Sequence, residues 1–301
     1  METVSVFNRN IIIITGASSG LGKEFSKQIL NEYIKKGDFD FEFFLFARSN
    51  ENLQIVQNEL ISILKEKFTF KAEKNKTDEN KTDENFFLQK IKIFPVDLCG
   101  SEGVKKFASI LEKENSIQKI NIKLLINNAG FGTYGPFEKT PLEKELSMIE
   151  LNCTSLTGIS YHSIKYMEKN STIINVASLA SFMPLGNFAV YGATKAYVLS
   201  FSVALAAELK EKGIFVASLC PGSVSTNFAN VASNGERKEV LHGKDPEKVV
   251  RHCLKKVKNS KRIILMSPKW KITAFLSRFA GRYCVARFTY IFNKRPYKYE
   301  N

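Results

Sequence analysis

Tyr191-Gly-Ala-Thr-Lys195 opens a long run of helical periodicity. Residues at i and i+4 lie on one helix face, so a phenol and an ammonium look into the same space. A free phenol titrates at about 10 and is a poor base at neutral pH. A neighbouring cation favours the phenolate, and the pair can then exchange a proton with a carbonyl or alcohol oxygen. A second chemically suggestive string lies near the N-terminus, Ile11-Ile-Ile-Ile-Thr15-Gly16-Ala17-Ser18-Ser19-Gly20-Leu21-Gly22. Glycines allow backbone to approach a pyrophosphate, and a helix N-terminus adds unpaired N–H groups and the positive end of a dipole. The spacing is G-x3-G-x-G, neither GxGxxG nor a P-loop, because no GK[ST] follows. A third string, Phe46-Ala47-Arg48-Ser49, closes the next apolar segment. An acidic residue there would accept the ribose hydroxyls of NAD. Arg48 can instead pair with a 2′-phosphate through two parallel hydrogen bonds, which favours NADP over NAD.

These residues need a frame. Apolar runs at Ile11–Thr15, Phe41–Ala47, Ile91–Val96, Lys123–Asn127, Thr172–Ala177, Ile214–Leu219 and Arg262–Met266 read as strands, several apolar throughout, as in a sheet covered on both faces. Helical patterns fill the gaps at Leu21–Lys36, Glu51–Lys67, Gly103–Glu114, Leu142–Lys169, Tyr191–Lys212 and Pro246–Lys258. Strand and helix alternating at this spacing predict an α/β fold, a Rossmann-type doubly wound parallel sheet of about seven strands with helices on both faces and a C-terminal helical extension. One domain is expected over residues 1–266, followed by a basic extension over 267–301. The polar stretch 71–85 contains Lys76-Thr-Asp-Glu-Asn80 and then Lys81-Thr-Asp-Glu-Asn85, and reads as a mobile surface insertion.

Other strings fall in order around the tyrosine. Asn127-Asn128-Ala129-Gly130 ends the fourth strand, Asn152 lies in the helix after it, Ser178 ends the fifth strand and Pro221-Gly222-Ser223-Val224-Ser225-Thr226 follows the sixth. Taken together, these strings resemble the classical short-chain dehydrogenase/reductase family across residues 10–226. The resemblance implies an oxidoreductase acting on CH–OH and C=O groups with a nicotinamide cofactor. It assigns Asn152, Ser178, Tyr191 and Lys195 to the catalytic set: Ser178 binds the substrate oxygen, Tyr191 exchanges the proton, Lys195 holds the nicotinamide ribose and lowers the Tyr191 pKa, and Asn152 anchors a water. Thr15, Gly16, Ser18, Ser19, Gly20, Leu21 and Gly22 resemble the cofactor turn, Asp97 and Leu98 the pair beside the adenine, and Asn128, Ala129 and Gly130 the segment along the ribose. Pro221, Gly222, Val224 and Thr226 resemble the segment that closes over the nicotinamide. The basic residue many NADP-preferring members carry at the position of Ser19 is absent, so Arg48 acts alone. Gly130–Pro136, Ser181–Leu185 and the run from Tyr191 are also similar to a branch near long-chain 3-oxoacyl and hydroxysteroid reductases, which implies a lipophilic, acyl- or steroid-like carbonyl substrate. Phe131, Tyr134, Phe182, Met183 and Phe188 flank these motifs and suit either an apolar substrate pocket or ordinary core. Family members commonly assemble through paired long helices, so a homo-oligomer is expected.

Composition narrows the remaining classes. The chain has 301 residues, 44% hydrophobic, enough for a sizeable core. No apolar run approaches the roughly 18–20 residues that span a bilayer, and the N-terminus lacks a secretory pattern. Five scattered cysteines without a CxxC pair exclude a disulfide framework and a cysteine zinc site, and the three histidines have no ligand spacing, so no metal is expected. A cytoplasmic location is expected, with peripheral attachment to the inner face of the membrane as the alternative. The net charge of +14 is concentrated: residues 241–301 carry 16 Lys+Arg against 3 Asp+Glu. Ile272, Phe275, Leu276, Phe279 and Tyr283 recur at helical spacing beside Trp270, Lys271, Arg278 and Arg282. That pattern suits an amphipathic helix on an anionic membrane surface, or one folded over the substrate mouth or against another subunit. Nothing supports nucleic-acid binding. Two alternatives to an enzyme remain, a catalytically idle cofactor-binding interaction protein and a peripheral membrane protein acting through its basic tail.

Overall fold

The computed structural model describes residues 8–75, 84–238, 240 and 242–299; residues 76–83, which hold most of the five-residue repeat, lie outside it. Strands β1 (Arg9–Thr15), β2 (Glu42–Ala47), β3 (Ile91–Pro95), β4 (Ile120–Asn127), β5 (Thr172–Val176), β6 (Phe215–Leu219) and β7 (Ile263–Ile264) form one parallel sheet in the order β3-β2-β1-β4-β5-β6-β7. The four isoleucines of β1 explain why it sits centrally. Ile12 and Ile14 face a core shared with α1 (Gly20–Lys36), α2 (Asn50–Asn75) and α9 (Pro246–Lys258). Ile11 and Ile13 face the opposite core, with α4 (Gly100–Ile117), α6 (Leu156–Ile164) and α7 (Ala189–Glu208). Successive strand side chains point to opposite faces, so a strand apolar at every position must be covered on both. The order reverses between β1 and β4, and that reversal opens a crevice at the carboxyl ends of the strands. At the other end of the sheet Arg9 bridges Glu42 and Glu114 at 2.6 and 2.8 Å, and Lys92 joins Glu114 at 2.8 Å. This ionic clamp ties β1, β2, β3 and α4 together away from the crevice.

Several elements differ from their sequence expectations. Helix α2 runs on to Asn75, and the short α3 (Glu84–Lys90) precedes β3. The helical pattern from Leu142 is not one helix. It comprises α5 (Leu142–Ile149), a π-helical stretch Glu150–Ser155, and α6. The Ser155 hydroxyl bonds the carbonyl of Glu150, five residues back, and that of Leu98, widening the turn. Helix α7 is long and apolar enough to cross a membrane by length and composition, contrary to the sequence reading. It is nonetheless a core helix, with Val198, Ser202 and Leu205 buried.

The C-terminal stripe is also broken. After the short α8 (Phe228–Ala232), α9 and β7, the chain forms α10 (Pro268–Leu276) and α11 (Arg282–Phe292), separated by Ser277–Gly281. Trp270 does not face solvent. It is buried beside Gly222, where an added Cβ would lie 2.4 Å from the indole Nε1. Helix α11 lies on the loop before α7: the Gly186 N–H donates to Thr289 Oγ1 at 2.9 Å, and Asn187 Nδ2 donates to the Tyr290 carbonyl at 3.0 Å. The chain then bonds back to the segment after α8 through Lys298 N–H to the Ser233 carbonyl at 2.9 Å. The tail thus wraps over the carboxyl side of the sheet. Ile272, Phe275, Leu276, Phe279, Tyr283, Phe288 and Phe292 remain exposed on its outer side.

Candidate active site

The turn between β1 and α1 is organised by Thr15. Its hydroxyl accepts the N–H groups of Asn128 and Ala129, both at 3.0 Å, across the switch between β1 and β4. Asn128 Nδ2 returns two bonds, to the carbonyls of Thr15 and Gly16 at 3.1 Å. The two segments are therefore one rigid unit. Gly16 and Gly20 adopt φ of +63° and +53°, the left-handed region that other residues avoid. Gly22 has no room for a side chain, since a Cβ would fall 2.1 Å from the Gly16 oxygen. Ser19 precedes α1 without a side-chain cap, and no acidic residue stands in the first turn. Open N–H groups and the helix dipole make this an anion site, and it fits a dinucleotide pyrophosphate. Ser18 and Leu21 complete the turn.

Arg48 is exposed at the end of β2, with no ion pair to a described residue. Asp97 is exposed nearby and accepts the Cys99 N–H at 3.0 Å, which turns the chain after β3. Both Arg48 and Asp97 act electrostatically on the Cys99 thiol, so they share one corner of the crevice. Leu98 is buried beneath it. Asn152, at the π-helical widening, fixes the backbone of Phe131: its Oδ1 accepts the N–H at 3.1 Å and its Nδ2 donates to the carbonyl at 2.9 Å. Its Nδ2 also reaches Thr194 Oγ1 at 3.1 Å. Gly130 stands between Asn152 and Lys195, with a hypothetical Cβ 2.6 Å from Asn152 Oδ1 and 3.4 Å from Lys195 Nζ.

Ser178, at the end of β5, caps the 3-10 turn Leu179–Phe182, and its hydroxyl acts on the Tyr191 phenol to lower its pKa. Lys195 Nζ donates to the Val176 carbonyl at 2.8 Å and lies 5.8 Å from the centre of the Tyr191 ring. Across the crevice the Pro221–Thr226 segment closes in. Thr226 comes within 3.4 Å of where a Gly20 Cβ would be, Val224 pairs with Lys244, and Pro221 accepts a 3.4 Å bond from Ser178. The structure thus gathers Asn152, Ser178, Tyr191 and Lys195 around one end of the crevice, with the glycine turn and Arg48 at the other.

Residues 10–237 match the short chain dehydrogenase family. The chain belongs to that family. A serine 3-dehydrogenase from Rhizobium radiobacter is 35% identical over 120 residues, covering 39% of this chain and 48% of that protein. The chain thus spans about half the length of that relative. A very-long-chain 3-oxoacyl-CoA reductase from Rattus norvegicus is 27% identical over 252 residues, or 81% of this chain and 67% of the other. Two solved structures share the fold. One is a short-chain dehydrogenase from Sphingobium yanoikuyae in complex with NADPH, with a TM-score of 0.68, 21% identity and coverage of 90% and 94% of the two chains. The other is a short chain dehydrogenase/reductase from Burkholderia phymatum in complex with NAD, with a TM-score of 0.71, 16% identity and coverage of 98% and 99%.

In this short-chain dehydrogenase the electrostatics differ from the sequence expectation at one point. Burial pushes the Tyr191 phenol up to about 12, and the opposing influences are the Ser178 hydroxyl and the charge of Arg295, not Lys195. Burial likewise brings the Lys195 ammonium down to about 8. Lys195 gives up its proton more readily than an exposed lysine, and its ammonium donates to a backbone carbonyl. Of the candidate pocket residues, Phe131, Tyr134, Met183 and Phe188 cluster with Tyr191, joined by Phe228, whereas Phe182 packs in a separate cluster with Val198 and Cys220. Phe188 stacks on Tyr191 at 4.1 Å. Sequence reasoning missed Thr194 and Arg295. Thr194 lies inside the YxxxK string, one residue before Lys195, but its bond to Asn152, 42 residues away, shows only in the fold. Arg295 lies far along the chain and had no signal.

Proposed function

We propose that the protein is an NADP-dependent oxidoreductase that interconverts a carbonyl and an alcohol on a hydrophobic substrate. The observation that carries this reading is the convergence of Ser178, Tyr191 and Lys195 at one end of a crevice whose other end is an uncapped glycine turn. The nicotinamide cofactor, when bound, supplies or accepts the hydride. Ser178 orients the substrate oxygen by hydrogen bonding. Tyr191 gives its phenolic proton to that oxygen in reduction and takes it back in oxidation. A phenol held at about 12 is fully protonated at neutral pH, which suits the reductive direction. Lys195 holds the cofactor ribose, and Asn152 keeps the Phe131 peptide in place beside it. Exposed Arg48 favours the 2′-phosphate. The aromatic cluster of Tyr134, Phe188 and Phe228 favours an apolar substrate body. The names of the relatives, a serine 3-dehydrogenase and very-long-chain 3-oxoacyl-CoA reductases, support carbonyl–alcohol chemistry at a functionalised chain.

The test is NADPH oxidation against a panel of ketones, with Arg48→Ala in parallel. NADPH affinity should fall about tenfold or more while NADH affinity stays nearly constant. Equal losses, or a native preference for NADH, overturn the cofactor assignment. No turnover of any ketone favours an idle cofactor-binding protein.

A second property is supported by the exposed row of Phe275, Leu276, Phe279, Tyr283, Phe288 and Phe292 beside Lys271, Arg278, Arg282 and Arg287. This surface suits peripheral attachment to an anionic membrane. The protein should float with anionic liposomes at low salt and detach as salt rises. Indifference to anionic liposomes, with a concentration-dependent increase in mass, assigns the row to a contact between copies of the chain.

A further inference from the structure

The C-terminal arm delivers a cation to the catalytic tyrosine. Arg295 lies with its guanidinium carbon 4.5 Å from the centre of the Phe188 ring and 5.8 Å from that of Tyr134. Phe188 is the ring that stacks on Tyr191 at 4.1 Å, so the guanidinium and the reacting phenol are one ring apart. The arm is fixed there by bonds on both sides of Arg295. Asn187 Nδ2 holds the Tyr290 carbonyl at 3.0 Å, and Asn234 Nδ2 holds the Lys298 carbonyl at 2.9 Å. Tyr297 is buried beneath it, with Lys144 5.2 Å from its ring centre.

Resting on the oxidoreductase reading of the same site, we propose that Arg295 is the receptor for an oxyanion on the substrate. The carbonyl compound taken by this enzyme then carries a carboxylate or phosphate a few bonds from its reacting carbon. Three observations converge on this. Arg295 Nη1 is buried and has no hydrogen-bond partner among the described residues. Buried donors are nearly always satisfied, and an orphaned guanidinium nitrogen is a donor lacking its acceptor. Contact with two aromatic faces recovers only part of what a guanidinium loses on leaving water. The charge environment is also one-sided. Among the described residues the groups that act on Arg295 are Tyr134, Tyr191 and Arg237, with no carboxylate among them. Arg237, which has a partner of its own, also acts electrostatically on Tyr134. Arg295 thus meets no carboxylate among the described residues, which favours an anionic visitor.

The aromatic walls and Arg295 then divide the substrate. Tyr134, Phe188 and Phe228 take the apolar body, Ser178 and Tyr191 take the carbonyl oxygen, and Arg295 takes the anionic head. A fork-shaped guanidinium pairs two oxygens at once, so it fixes orientation as well as affinity. It also sets which face of the carbonyl is presented. The substrate class is therefore an oxo acid or a keto phosphate, interconverted with the corresponding hydroxy compound.

Two matched pairs test this with the full-length protein and NADPH: an oxo acid against its methyl ester, and a keto phosphate against its neutral alcohol. The wild-type protein should prefer the charged member of at least one pair. Arg295→Met keeps a straight apolar stem on Phe188 and removes the charge. It should raise KM for the preferred anion about ten- to a hundredfold more than KM for the neutral partner. Arg295→Lys should restore part of the loss. Equal losses for charged and neutral members mean that Arg295 only clamps the arm, and overturn the proposal. A wild-type preference for the neutral member of both pairs overturns it too, and this comparison stands even if Arg295→Met does not fold. Turnover of the ester or alcohol in that case leaves the oxidoreductase reading intact. Absence of turnover with all four compounds sinks both.

Discussion

The crevice at the strand ends and the C-terminal arm meet at Tyr191, yet they are built by different means. In the crevice four of the functional groups lie at or just past strand ends, Thr15 at β1, Asn128 at β4, Ser178 at β5 and Pro221 at β6, and Tyr191 and Lys195 stand on α7 beside them. Parallel pairing sets their spacing, and buried side-chain bonds such as those from Asn128 to the Thr15 and Gly16 carbonyls lock it. The arm has no sheet to align it. It is held by a few bonds to loops, at Gly186, Asn187, Ser233 and Asn234, and by the seating of Trp270. The chemistry common to the family sits on the first kind of scaffold. What varies between members can be carried by the second, because loop-held segments tolerate change.

The sharpest way to break this division is to damage one region and watch the other. Tyr191→Phe preserves the stack on Phe188 and removes the exchangeable proton. Turnover should fall at least about a hundredfold, with cofactor affinity and the anion preference of KM little changed. Activity close to wild type would remove Tyr191 from proton transfer. Gly186→Ala attacks the arm alone, since its Cβ would sit 2.4 Å from the Tyr290 Cβ and 2.7 Å from its Cα. Overpacking of this kind costs about 1–3 kcal/mol, and it should displace α11. KM for the ketone should rise several-fold while NADPH affinity, measured by titration, stays unchanged. A parallel fall in NADPH affinity would mean that the arm is part of the cofactor site.

Smaller effects come from pH. Arg295 opposes the upward shift of Tyr191, so alcohol oxidation, which needs the phenolate, should rise with pH through the alkaline range. In Arg295→Met the rise should move to higher pH; an unmoved profile would disconnect the arm from the phenol. Lys195 gives the least effect and concerns stability. Its folded value of about 8 lies below its ordinary value of 10.5. Below about pH 8 both states are protonated and the cost of burying the charge is fully present. Between about 8 and 10.5 the native state loses the proton first, so stability rises with pH. Lys195→Met should flatten that slope in denaturant titrations.

The crevice was legible in the sequence and the arm was not, for physical reasons. A strand apolar at every position, a glycine turn and a helix must lie in that order, so Ile11–Gly22 announces its own geometry. The same holds for Tyr191 and Lys195, one helical turn apart. The π-helical widening at Asn152 was hidden, because it arises from Ser155 bonding to Leu98, a distant carbonyl. The tail misled in a different way. Its hydrophobic period runs through Ser277–Gly281, where the backbone leaves the helix, and its tryptophan turns inward to fill the space that Gly222 leaves open. Arg295 carries no local pattern at all. Only the path of the chain over the site reveals it.

That inward tryptophan is the only one in the chain, and it lies against the Pro221–Thr226 segment, whose Thr226 reaches the glycine turn. The molecule therefore carries its own optical probe. Light absorbed by indole and emitted from this one position reports the polarity and mobility of the segment over the cofactor crevice, without any label. Quenching by acrylamide should fall, and the emission maximum should move, as a nucleotide settles there. The same signal follows loss of the arm from the body, so one spectrum reads both regions at once.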